Sequence, residues 1–252
     1  MALVQSSSGA AYGWRARIGL VQSGPLAENN PYEFYLMAPP GVTIVITQLG
    51  RPEIRGQPFH VAMDYLEEGI GRLVAGHVDA IIQAGTPHIA GKGWGFEDKL
   101  RARVARLANC PFITDIGSSM RAMQLLGLRR IAMLTPFDEQ THQDITAYIK
   151  NAQIEVVCAM SLLRPGVQRE RLFAAPLGAI YRGAREVFKS APGADGIWIT
   201  GAAMPSVGAI QNLEDDLGVP VVTSMQAMAW GALRAVGIGD KINGYGKLWR
   251  DW

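Results

Sequence analysis

The sequence predicts an α/β protein of two pseudo-twofold-related sandwich halves, each with a roughly four-stranded parallel sheet, facing one another across a cleft. Three observations predict it. The first is an internal repeat. Val78-Asp79-Ala80-Ile81-Ile82-Gln83-Ala84-Gly85 returns as Ala194-Asp195-Gly196-Ile197-Trp198-Ile199-Thr200-Gly201, and Asp79 to Asp195 and Gly85 to Gly201 are the same 116 positions apart. Arg17-Ile18-Gly19-Leu20-Val21 returns as Arg130-Ile131-Ala132-Met133-Leu134, and Pro111-Phe112-Ile113-Thr114 as Pro220-Val221-Val222-Thr223. The second is alternation: short β-branched runs take turns with longer stretches of helical spacing, the pattern of parallel crossovers. The third is that most of the short runs are apolar throughout, as strands covered on both faces are.

In order, Ile18–Gln22 and Val42–Gln48 read as strands, Val61–Gly76 as a helix, Ala80–Ala84 as a strand, Glu97–Ala108 as a helix, Phe112–Thr114 as a strand and Ser118–Leu126 as a helix. The second half repeats the scheme. Ile131–Thr135, Glu155–Ala159, Gly196–Thr200 and Val219–Thr223 are its strands, and Glu139–Asn151, Gln168–Lys189, Val207–Leu217 and Gln226–Val236 its helices. The helices after Thr114 and Thr223 are counterparts and are expected to cross between the halves. The first half is therefore drawn as 15–117 plus 225–252 and the second as 118–224, with 1–14 a loose tail. The C-terminal tail is expected on the first half.

Composition narrows the function. Twenty-four basic against 22 acidic side chains leave a net charge of +2, which provides no electrostatic footprint for nucleic acid or an anionic membrane. No apolar run approaches the roughly 20 residues a bilayer crossing needs. Two cysteines, Cys110 and Cys158, are too few for a disulfide scaffold and suit the reducing cytoplasm. No spaced His/Cys cluster marks a metal site. Gly91-Lys92-Gly93-Trp94-Gly95 lacks the ending of a phosphate loop, and no Gly-x-Gly-x-x-Gly follows the first strand, so no nucleotide cofactor is expected. Assembly into a homo-oligomer stays open.

Ligands of open α/β sheets bind beyond the carboxyl ends of the strands. There the chain carries Gln22 and Ser23, then Gly85-Thr86-Pro87-His88, then Phe137, then Gly201-Ala202-Ala203-Met204-Pro205-Ser206. The two glycine turns are the mirrored pair. Glycine lets backbone N–H groups close on an anion, so a substrate carboxylate held between Gly85, Gly201, Ala202 and Ala203 is the functional reading. Tight strand–helix turns are the plain one. Thr86 and Ser206 offer hydroxyls, although such residues more often cap helices. His88 is the histidine placed for acid–base work near neutral pH, against a plain reading as a solvated loop residue. Asp115 is read first as the cap of the following helix and second as a carboxylate facing the cleft. His142 is read as a surface or hinge-facing residue.

These residues resemble the aspartate/glutamate racemase superfamily, and within it the branch of arylmalonate decarboxylases and maleate cis–trans isomerases. The likeness rests on Glu33-Phe34-Tyr35 with Ala38-Pro39, Leu126-Gly127-Leu128-Arg129-Arg130-Ile131-Ala132, Leu134-Thr135-Pro136-Phe137, Leu217-Gly218-Val219-Pro220-Val221-Val222-Thr223 and Gly244-Tyr245-Gly246. It runs from about Arg17 to Lys247. The resemblance implies cofactor-free chemistry on a small carboxylic acid, with a carbanion or enediolate stabilised beside the carboxylate. It places Gly85 and Gly201 at the two cysteine positions of the superfamily, Pro87 at a usual serine and Phe137 at a common substrate-binding tyrosine. On that alignment neither a two-thiol racemase nor thiolate addition is available. The expectation is a decarboxylase or lyase, or a single-base isomerase, with Thr86 and His88 catalytic and Gln22, Ser23, Gly85, Asp115, Phe137, Gly201, Ala202, Ala203 and Ser206 around the substrate. Hydrolysis of a small cyclic amide or lactone, and a non-catalytic carboxylate-binding protein, are the alternatives.

Overall fold

The computed structural model describes residues 11–22, 28–49, 65–163 and 169–252. Ser23, His60 and the start of the helix expected at Val61 lie outside the described residues. The first half contains the strands β1 (Ala16–Gln22), β2 (Val42–Gln48), β3 (Ala80–Gln83) and β4 (Phe112–Thr114). The second contains β5 (Arg130–Thr135), β6 (Glu155–Ser161), β7 (Gly196–Ile199) and β8 (Val221–Thr223). The sheet orders are β2-β1-β3-β4 and β6-β5-β7-β8, the same order twice. Every pairing is parallel.

The helices are α1 (Asn29–Met37), α2 (Leu66–Ala75), α3 (Thr86–Ala90), α4 (Phe96–Val104), α5 (Asp115–Leu125), α6 (Glu139–Lys150), α7 (Leu177–Lys189), α8 (Ile210–Leu217), α9 (Ser224–Ala235) and α10 (Gly246–Asp251). Two short 3-10 turns, Arg169–Ala174 and Val207–Ala209, precede α7 and α8. Among the described residues no helix is long and apolar enough to cross a membrane, and no group of three or more His, Cys, Asp or Glu residues is gathered as a metal site would need.

The repeat has a physical basis at both ends of the strands. Asp79 accepts from the Arg17 N–H (2.7 Å), and Asp195 accepts from the Arg129 and Arg130 N–H groups (2.8 and 3.1 Å), so the repeated aspartate ties β3 to β1 and β7 to β5. At the other ends Thr114 and Thr223 cap α5 and α9, accepting from the N–H groups of Gly117 and Gln226. Such caps contribute about 1 kcal/mol each. Helix α5 reaches β8 of the second sheet, while α9 lies on β3 and β4 of the first, so the two helices cross as expected. Met225, Ala227, Met228, Ala229, Ala232 and Leu233 of α9 are all buried in that crossing, where small and flexible side chains let the helices approach.

The central strands β1, β3, β5 and β7 are almost wholly buried, whereas the edge strand β6 is half-exposed along its length. Free Cys158 sits on β6 and free Cys110 before β4, so neither thiol stands at a strand's carboxyl end. The tail departs from expectation. Arg15 pairs with Asp240 (2.6 Å), but α10 packs on α8 and β8 of the second half. The N–H groups of Gly246 and Lys247 donate to Gln211 and Glu214, and Trp249 is fully buried. The amphipathic end of the chain follows the nearest acceptors on α8.

Candidate active site

The site begins with two backbone turns. Gly85 and Gly201 end β3 and β7 with φ of 110° and 109°, a region that side-chain-bearing residues rarely adopt. The turns meet: the hydroxyls of Thr86 and Thr200 lie 2.9 Å apart, and Thr200 Oγ1 is 3.4 Å from Ser224 Oγ. All three are buried.

Each glycine amide is engaged by the first residue of a crossing helix. The Gly201 N–H donates to Ser224 Oγ (3.2 Å), and the Gly85 N–H donates to Asp115 Oδ2 (3.2 Å), which also accepts from the Thr86 N–H (3.0 Å). Ser224 and Asp115 are counterparts in the repeat. One half thus has a neutral hydroxyl where the other has a carboxyl. The amides of Gly85 and Thr86, expected to hold a substrate oxygen, are already taken by this internal acid. The reason is the start of α5 at Asp115: Thr114 makes the cap, which frees the Asp115 side chain to turn into the first nest. The second loop differs. Met204 N–H closes a turn on Gly201 O (2.8 Å), and among the described residues the Ala202 and Ala203 N–H groups have no hydrogen-bond acceptor.

Asp115 is fully buried. Burial pushes its carboxyl above the usual range, while the nearby Ser224 and Thr86 hydroxyls and the two amides pull the other way without reversing the shift. Its second oxygen, Oδ1, has no hydrogen-bond partner among the described residues. His88 is also buried, not solvated, and its Nδ1 faces Gly85 O at 3.0 Å, so the ring turns back on its own loop. The assignment of Nδ1 as the protonated nitrogen follows from that carbonyl partner.

The walls come from both halves. Phe137 is buried beside Gly201, where a Cβ at position 201 would lie 3.5 Å from its ring and 2.6 Å from Pro136 Cδ and Cγ. Thr135 fixes that turn: its hydroxyl accepts from the Phe137 N–H (3.0 Å) and meets His142 Nε2 at 2.5 Å. His142 is buried, contrary to the surface reading, and burial lowers its pKa despite Glu139 and Asp138. Helix α1 supports the second loop from below. Asn29 donates to Ala202 O (3.0 Å), and Glu33 accepts from the Ser206 and Val207 N–H groups (2.5 and 2.8 Å). Burial raises the Glu33 carboxyl to about 7. Gln22 is buried and accepts from Asn30 of α1 (2.5 Å). Ser206 meets Glu33 through its backbone.

Sequence reasoning passed over Thr200, Ser224, Glu33 and Asn29. Ser224 was findable, because it mirrors Asp115 within the repeat. Glu33 and Asn29 carry no local signal of their reach into the other half.

Twin parallel sheets joined by crossed helices, with facing glycine turns at the carboxyl ends of β3 and β7, define the class: a duplicated α/β fold of two similar halves. The chain belongs to the arylmalonate decarboxylase family, whose sequence pattern matches residues 18–249. It is 24% identical over 210 residues to an arylmalonate decarboxylase of Bordetella bronchiseptica, covering 83% of this chain and 87% of that one. It is 27% identical over 168 residues to a maleate isomerase of Geobacillus stearothermophilus, covering 62% and 63%. Among solved structures, an arylmalonate decarboxylase superposes with a TM-score of 0.80 at 23% identity, covering 94% of this chain and 100% of the other. A maleate isomerase of Pseudomonas putida superposes with a TM-score of 0.80 at 21% identity, covering 94% and 98%. The relatives are a decarboxylase and an isomerase, so the family is one of enzymes.

Proposed function

We propose that this protein is a cofactor-independent enzyme acting at the carbon next to a carboxylate or carbonyl of a small organic acid, by decarboxylation or isomerisation without a cysteine nucleophile. The observation that carries the reading is the second loop. Its Ala202 and Ala203 N–H groups are unbonded among the described residues, and the loop follows Thr200, whose hydroxyl meets that of Thr86 at 2.9 Å. Such preorganised donors stabilise charge that develops on oxygen as a carbanion delocalises, and each contributes roughly 3 kcal/mol at the transition state. Phe137 supplies an apolar wall that keeps water from the charge. On the resemblance Gly85 and Gly201 stand at the two cysteine positions of the superfamily, which leaves His88 and Asp115 as titratable groups at the turns. Thr86, His88 and Asp115 then act on the substrate, while Gly201, Ala202, Ala203 and Phe137 hold it. Gln22 and Ser206 are assigned to its rim.

The names of the relatives choose the substrates for testing. Purified protein is incubated with phenylmalonate, with maleate and with small lactones and cyclic amides. The reading expects CO2 release from the malonate or cis–trans conversion of maleate, both without added metal or cofactor. Ring opening with no CO2 would instead make the protein a hydrolase, and tight carboxylate binding with no turnover would make it a binding protein.

A further inference from the structure

We propose that the Asp115 carboxyl is the proton carrier of this site, handing a proton to the carbon beside the bound carboxylate and recovering one from water between turnovers. The inference rests on the reading of the site as an enzyme for small organic acids. Its geometry is independent of the substrate. Asp115 opens α5 at the carboxyl edge of β4, is fully buried, and is held at Oδ2 by the Gly85 and Thr86 amides. Oδ1 is left with no hydrogen-bond partner among the described residues. A buried carboxylate oxygen with no donor loses its hydration without replacement, which disfavours the ionised form. A proton on Oδ1 removes that penalty and converts the unbonded acceptor into a donor waiting for a ligand atom.

The surroundings favour the neutral form. Helix α3 presents Thr86 and His88, α9 presents Ser224, β8 presents Thr223, and β4 presents Thr114, whose hydroxyl meets Glu97 (2.5 Å), itself paired with Arg101. The only charged residues in that set are this ion pair, and neither partner is among the groups that shift Asp115. The amino end of α5 favours an ionised Asp115, as do the hydroxyls, but burial outweighs them. An anionic substrate strengthens the argument. Two like charges in one water-poor site repel, so the carboxylate enters more readily when Asp115 is protonated. His88 is the competing donor, and its Nδ1 is committed to Gly85 O.

The proton count closes. In decarboxylation the bond to the departing carboxylate breaks, CO2 leaves, and the electron pair stays on the α-carbon, delocalised onto oxygen at the second loop. The O–H bond of Asp115 then breaks as the new C–H bond forms. Asp115 ends as carboxylate and takes one proton from water. Because the mirrored position is Ser224, which does not ionise near neutral pH, a single carrier protonates a single face of the intermediate.

Phenylacetate is the probe. Its affinity is measured calorimetrically from pH 5 to 9 on wild type, Asp115→Asn and His88→Asn, and exchange of its α-hydrogens with D2O is followed by NMR. In wild type, affinity falls about tenfold per pH unit once Asp115 ionises, and exchange occurs. Asp115→Asn keeps the amide contacts through its side-chain carbonyl, binds with a flat pH profile and exchanges at least about 100-fold more slowly. A pH limb that disappears in His88→Asn assigns it to His88 and overturns the inference. A pH limb or exchange that survives in Asp115→Asn overturns the inference, as does wild-type binding with neither. Absence of phenylacetate binding in wild type overturns the functional reading as well. If Asp115→Asn does not fold, infrared difference spectra of the Glu33→Gln protein decide: a neutral-carboxyl band must shift when phenylacetate binds, and its absence refutes the carrier.

Discussion

A cysteine at position 201 does not fit this chain. Gly201 has φ of 109°, and a Cβ there would stand 2.6 Å from both Pro136 Cδ and Cγ. The backbone conformation costs an L-residue about 1–3 kcal/mol. The contact with Pro136 adds about 1–3 kcal/mol of overpacking, because Pro136 is a ring fixed in the turn and cannot swing aside. Gly201→Cys should therefore lose about 2–6 kcal/mol. Pro136→Ala removes both crowded atoms but leaves the backbone strain, so the double variant should recover the packing share alone. The coupling in the cycle is expected at about 1–3 kcal/mol, within the range for residues in contact. Urea unfolding followed by tryptophan fluorescence measures all four proteins, and each 1 kcal/mol also moves Tm by about 2–4 °C at this chain length. If Gly201→Cys is as stable as wild type, or if Pro136→Ala leaves its cost untouched, the geometric reason for glycine here is wrong.

Glu33 should make stability fall as pH rises. Its carboxyl is raised from 4.5 to about 7 in the folded protein, so the folded state holds the proton more tightly. The stabilisation is full below about pH 4.5 and is lost as pH climbs to about 7. The loss is about 3 kcal/mol at 1.36 kcal/mol per unit, and Glu33→Gln should flatten it in urea titrations at stepped pH. His142 has the opposite sign, since burial lowers its pKa. The unfolded chain takes up the proton first, stability drops as pH falls below 6.5, and His142→Gln should remove that drop. Ala202 occupies the second position of the turn closed by Met204 N–H on Gly201 O, where proline is accepted. Ala202→Pro deletes one N–H that is unbonded among the described residues, with little effect on Tm, and should lower kcat by about 100- to 1000-fold. Asp240→Asn breaks the part-exposed pair with Arg15 and should cost less than about 1 kcal/mol in thermal unfolding.

The strands were legible because burial on both faces leaves continuous apolar runs, which local composition records. Val221 rather than Val219 opens β8, since Pro220 lacks the N–H a strand ladder uses. The single helix expected over Gln168–Lys189 becomes a 3-10 turn and α7, divided at Pro176. Helix α1 was missed: Pro31 lies within it and its apolar periodicity is weak, so its formation depends on tertiary contacts, among them Phe34 and Met37 in the core. The pairing of the two glycine turns was legible, because the repeat marks them twice. It was not legible which nest is occupied. That depends on whether Asp115 caps its own helix or reaches across, and the choice is made by Thr114 taking the cap. Likewise the burial of His88 follows from the packing of α3 against α6, a contact between halves that no local pattern encodes.

The central claim is that a carboxylate is gripped by the second glycine turn while the first is filled from within. Backbone amide resonances tracked during a phenylacetate titration test it directly. Large shifts are expected at the Ala202 and Ala203 N–H groups and small ones at Gly85 and Thr86, whose protons stay on Asp115. Large movement at Gly85 and Thr86 with silence at Ala202 and Ala203 would contradict it.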